Sequence, residues 1–149
     1  MFDNFTVNRK EKKMKKFITY FVSVNLVLLL ALLAGCSKKS TSSLARFQPQ
    51  ITNMPDDFQF QATGVENVTT TEQYVWQNTG TSANVNQACA ITSGSATLTI
   101  YDNDTVQVYS QSLTANGTYA TSVGTTGNWL IRVQLTNCYG TLNFRAQKP

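Results

Sequence analysis

The chain has 149 residues, 42% of them hydrophobic, with a formal net charge of +4 and no histidine. One compact domain is the expectation for this length. The missing histidine excludes histidine-based acid–base and nucleophilic catalysis and most zinc sites. The charge is uneven. Before Cys36, Arg9, Lys10, Lys12, Lys13, Lys15 and Lys16 face only Asp3 and Glu11, whereas from Cys36 onward six basic and six acidic side chains cancel. The basic balance therefore belongs to the leader, and no basic stripe remains to mark a nucleic-acid surface.

The first element is an apolar helix behind a basic start. Phe17 to Ala34 is 18 residues long, broken only by Thr19, Ser23 and Asn25, which is near the lower limit for a membrane span. It ends in Leu33-Ala34-Gly35-Cys36. That order resembles the signal peptide and lipobox of bacterial lipoproteins. The resemblance implies cleavage between Gly35 and Cys36, a diacylglyceryl group on the Cys36 thiol and an acylated new amino terminus, palmitate being the usual kind of chain. Residues 1–35 are then a signal peptide, and Met14-Lys15-Lys16-Phe17 is by itself a complete opening, which makes Met14 a second candidate start. Ser37, in place of aspartate after the cysteine, resembles outer-membrane sorting. Lys38 and Lys39, in place of an acidic cluster, imply the periplasmic face. The membrane, reached through Cys36, is the first expected partner.

Residues 36–57 read as a flexible tether. Ser37-Lys38-Lys39-Ser40-Thr41-Ser42-Ser43 is small and polar, with too little apolar surface to offset its conformational entropy. Pro49 and Pro55 keep the rest out of helix.

From Phe58 onward the apolar period is two. Phe58 to Ala62 alternates, then Tyr74 to Gln77, then Ala83 to Ile91 with Ala83, Val85, Cys89 and Ile91 on one side. Ala96, Leu98 and Ile100 form the next apolar face, followed by Val106 and Val108, and by Tyr119 after Asn116-Gly117. Trp129, Ile131, Val133 and Leu135 make the clearest inward face, and Leu142 to Ala146 closes the chain. Turn residues recur between these runs, and no segment after residue 36 has helical periodicity. The pattern predicts an all-β domain over 58–149, an antiparallel β-sandwich of about eight strands.

Cys89 and Cys138 remain once Cys36 carries lipid. In an oxidising compartment a Cys89–Cys138 disulfide is the economical assignment, with two buried free thiols as the alternative. The bridge would enclose 48 residues and stabilise the fold by about 4 kcal/mol. Gly127-Asn128-Trp129-Leu130-Ile131-Arg132-Val133 and Gly140-Thr141-Leu142-Asn143-Phe144 resemble the closing strands of jelly-roll modules such as the pre-peptidase C-terminal and CUB-like domains. The calcium-binding positions of those families have no match here, so the resemblance implies no metal ligand.

Candidate sites are few. Six acidic side chains in so small a domain argue against a glycosidase pair, and neither an enzyme nor a cofactor is expected. Asp102-Asn103-Asp104 reads as a hairpin turn rather than a calcium loop. Asp104-Thr105-Val106 resembles the short acceptor of some bacterial O-glycosylation systems, which makes Thr105 a candidate glycosylation site. Tyr101 and Tyr109 fall opposite the inward positions and are the candidate glycan-stacking residues, whereas Trp129 falls in the core. Two functions are therefore expected: a non-catalytic, lipid-anchored envelope protein with a structural or partner-binding role, or a carbohydrate-binding module.

Overall fold

The computed structural model describes residues 43–149, so the expected leader, Cys36 and the start of the expected tether lie outside the described residues. The domain is all-β. After a 3-10 turn at Leu44–Phe47 come β1 (Gln50–Met54), β2 (Asp57–Asn78), β3 (Asn84–Gln87), β4 (Ala90–Tyr101), β5 (Gln107–Ser112), β6 (Gly117–Ala120) and β7 (Gly127–Gln147). Every pairing is antiparallel.

Two very long strands, of 22 and 21 residues, give the fold its plan. The first half of β2 pairs with β1 and with the end of β7, and that end of β7 also pairs with β3, which leads on to β6. The second half of β2 pairs with the start of β7, whose other edge carries β4 and then β5. One sheet thus turns over on itself into two sandwich-like layers. The rings of Phe58 and Phe60, in the first layer, lie 5.5 and 6.0 Å from Tyr74 in the second. Phe60 also stacks on Phe144 at 5.2 Å. Trp76 meets Trp129 edge-on at 5.9 Å, an arrangement worth about 1 kcal/mol beyond the buried area. Each indole N–H is used: Trp76 Nε1 donates to the Met54 carbonyl and Trp129 Nε1 to the Thr125 carbonyl.

The expected inward faces are buried: Ala96, Leu98 and Ile100 on β4, and Trp129, Ile131, Val133 and Leu135 on β7. Seven strands replace the eight expected, because Phe58–Ala62 and Tyr74–Gln77 are two halves of β2, Trp129–Leu135 and Leu142–Ala146 are two halves of β7, and Gln50–Met54 adds β1. The expected tether also ends early. Leu44 is buried in the core, and Gln50–Met54 forms an edge strand with all five residues exposed. Such a strand carries no apolar alternation for periodicity to detect. The two prolines frame it, Pro49 before its first residue and Pro55 in the turn with Asp56 (φ 64°), positions that leave the ladder intact.

The turnover is made by bulges. The β2–β7 register shifts three times between Ala62 and Thr70, and the β4–β7 register shifts twice between Ile91 and Ser95. The backbone at Gly64, Asn67, Gly94, Asn137 and Gly140 has positive φ, the region that glycine enters freely and asparagine tolerates. Inward parity accordingly flips along β7, from the odd positions 129–135 to Cys138, Leu142, Phe144 and Ala146. At the crossing of β4 and β7 the backbones nearly touch, since a Cβ on Gly94 would sit 2.1 Å from the Asn137 carbonyl oxygen, and one on Gly140 would sit 2.1 Å from that of Ala90.

The expected Cys89–Cys138 disulfide is not formed; both are buried free thiols. The expected inward parity holds for Cys89, and Cys138 turns inward because parity flips along β7, but the two lie at different points along that strand. Cys89 exchanges weak hydrogen bonds with the backbone of Asn143 through Sγ, at 3.2 Å each way, whereas Cys138 faces Val68 at the bend. The two thiols stay close enough for Cys89 to raise the Cys138 pKa, second to burial, but they are not bonded to each other. Burial pushes both thiols above the ordinary range.

Two measurements check this frame. Gly140→Ala should lower the unfolding free energy read from urea titration by about 3 kcal/mol or more, or abolish folding, because backbone would have to move. Gly64→Ala, with nothing within 4 Å of its Cβ, should cost only about 1 kcal/mol for the left-handed backbone. In thiol titration, Cys89 and Cys138 should be unreactive in the folded protein and both react in denaturant without reductant; a mass gain of two hydrogens on reduction would mean the bridge forms.

Candidate functional site

Because side chains alternate, each layer shows one face to solvent. The first layer's outer face is amide-rich, with Gln59, Gln61, Asn143 and Asn86 around an ion pair. Arg145 grips Asp57 with two hydrogen bonds of 2.8 and 2.6 Å. The hydrogen bond from Arg145 holds the Asp57 carboxyl below its usual range, outweighing the opposing effect of burial, and charge attraction adds a smaller lowering.

The second layer's outer face is different. Register sets Val75, Leu130 and Tyr101 side by side on β2, β7 and β4. The next row along is Gln73, Arg132, Thr99 and Ser110, and the one after it Thr71, Gln134, Thr97 and Ser112. An apolar shelf three residues wide therefore borders two rows of amides and hydroxyls. Val75 is 61% exposed. Arg132 joins the rows: its guanidinium lies 5.0 Å from the Tyr101 ring centre, and Nη1 donates to the Tyr101 hydroxyl at 3.1 Å. Its Nε is buried without a hydrogen-bond partner. The ion pairs of the described residues join Arg145 to Asp57 and Lys148 to Asp56, so Arg132 is balanced by a π face rather than by a carboxylate.

Of the two tyrosines singled out from the sequence, the structure keeps one on this face. Tyr101 is half-buried beneath Arg132. Tyr109 is only 7% exposed and lies in the core, 6.4 Å from Tyr119. The reason is a bulge: Ile100 pairs with Tyr109 but Tyr101 with Gln107, so Val108 is the extra residue and Val108 and Tyr109 both turn inward. Strict alternation from Val106 cannot register an inserted position. The Tyr109 hydroxyl is buried without a partner, and its pKa is pushed up to about 12, by burial first and the nearby Tyr119 second.

Asp102-Asn103-Asp104 is a structural loop, as its turn chemistry suggested. Asp102 is 4% exposed, and its carboxylate accepts from the backbone N–H groups of Asp104, Val106 and Thr125. These bonds, Thr125 foremost, hold its carboxyl below the usual range. Asp104 accepts from the Thr125 hydroxyl and Asn103 from the Asn128 N–H, so one tripeptide fastens the segment entering β7. Thr105 sits exposed on this loop with φ 63°. On the opposite side Asn116 completes the backbone of Cys89 at both ends, accepting from its N–H and donating to its carbonyl.

Arg132 is the side chain of this face that sequence reasoning passed over. Its outward parity was available from Trp129 and Ile131, but its neighbours belong to strands distant in sequence. No protein-family model matches the chain, and no curated protein matches its sequence.

The corrected role of Tyr109 has a direct check. Tyr109→Phe removes a buried hydroxyl with no partner and should leave the urea midpoint unchanged or raise stability by up to about 1 kcal/mol. Tyr109→Ala should destabilise by about 3 kcal/mol or more.

Proposed function

We propose that this protein is a lipid-anchored, non-catalytic module of the bacterial cell envelope that binds a partner through the outer face of its second layer. Cys36, after Leu33-Ala34-Gly35, is the anchor, and the outer membrane's periplasmic face is the proposed location. The observation that carries the non-catalytic assignment is where the acids go. Asp56 accepts from the N–H and hydroxyl of Thr79, Asp57 from Arg145, Glu72 from the Thr70 hydroxyl, and Asp102 and Asp104 from their own loop and Thr125. Five of the six carboxylates that follow Cys36 thus serve as turn caps and strand clamps.

The binding surface is supported by the contrast between the two outer faces. One carries the closed Arg145–Asp57 pair with a single exposed Met54 at its edge, and the other sets an apolar row, Val75 exposed and Leu130 and Tyr101 half-buried, beside hydrogen-bonding side chains and an unpaired cation. A glycan is the ligand class this combination favours, because a pyranose offers an apolar face for the shelf and hydroxyls for the amides. Thr105, exposed on a loop tip, is proposed as a site of O-glycosylation on the same domain.

Metabolic labelling with an alkynyl palmitate should tag the wild-type protein and leave Cys36→Ser unlabelled, with Cys36→Ser moving from the membrane to the soluble envelope fraction. Equal labelling of both would overturn the anchor.

A further inference from the structure

Resting on the binding surface proposed above, we propose that its ligand carries carboxylate groups, as an acidic polysaccharide does, and that Arg132 receives one of them. Three features lead there. First, the outward side chains of this face that form the three rows are uncharged except for Arg132, so the surface is neutral with a single positive point. Second, that point is held in place. The stack on Tyr101 and the bond to its hydroxyl occupy one edge of the guanidinium, which leaves further N–H donors in the planar fork that matches a carboxylate. Ordering a free arginine would oppose binding by lost rotamer entropy, and here the protein has already ordered it.

Third, the surroundings fit a hydroxylated chain rather than an acidic protein. Around Arg132 stand Gln73, Thr99, Gln134 and Ser110, which can donate to and accept from hydroxyls. The apolar shelf of Val75, Leu130 and Tyr101 spans three neighbouring strands, about 10 Å at the usual spacing. A stable protein interface needs on the order of 800 Å² per partner with an apolar centre, and three side chains in one row do not make one. A carboxylate reaching the guanidinium would meet charge-assisted donors at its Nη end, Nε itself being buried.

The test is retardation of the full chain, purified in neutral detergent, in native gels cast with polygalacturonate, with its methyl-esterified form as the neutral counterpart, and with polyglutamate. Retardation by the acid form should exceed that by the ester several-fold. Arg132→Gln should weaken binding to the acid about tenfold, the worth of a charge-assisted hydrogen bond, down to the level of the ester. Arg46→Gln, in the turn before β1, should change nothing. Equal retardation by acid and ester, or an unaffected Arg132→Gln, would overturn the carboxylate assignment and leave a neutral-glycan surface. Retardation by polyglutamate as strong as by polygalacturonate, lost in Arg132→Gln, would overturn the polysaccharide in favour of an acidic protein. No retardation by any polymer would overturn the binding surface itself. Urea midpoints of all variants identify any loss caused by unfolding.

Discussion

The structure depends on a fold line across a single sheet. β2 and β7 are each long enough to serve both layers, and neither could do so as a regular strand, because an unbroken strand keeps one set of alternate residues on one face. Burying both halves against each other needs residues that break the alternation at the crossing. Gly64, Asn67, Gly94, Asn137 and Gly140 occupy that line with positive φ. The close approach at Gly94 and Gly140, where any Cβ would strike carbonyl oxygens, makes the bend a steric requirement as well as a conformational one.

Once the sheet turns over, the core follows. Phe58, Phe60 and Phe144 from one layer close on Tyr74 from the other, and the two tryptophans lock the far end while their N–H groups hold β1 and the Thr125 segment. Polar side chains finish what the ladders leave open. Asp102 satisfies three amides at one end, and Asn116 imitates a neighbouring strand for Cys89 at the other. The free thiols belong to this packing, buried and unpaired.

A rigid, twisted platform is the product. Its second layer orders Arg132 against Tyr101 with no flexible loop involved, and sites built on strands are held more closely than sites on loops.

What the sequence by itself determined was local. Alternation of apolar residues identified the all-β class and the inward faces of β4 and β7, since burial of one face is a property of each strand alone. The resemblance of residues 1–36 to a lipoprotein leader is likewise a matter of linear order, of charge, apolar run and small residues before Cys36. Exposed β1 escaped because it buries nothing, and Tyr109 was misplaced because one bulged residue, Val108, reverses parity without leaving a mark in composition. Only the tertiary structure decided which residues share a surface. Cys89 and Cys138 both face inward and still fall at different heights along β7, and Tyr101, Leu130 and Val75 meet only through the register of three strands. Pairing across strands is set by where the bulges fall in the folded sheet, and that is a relation between distant segments that no single stretch of chain contains.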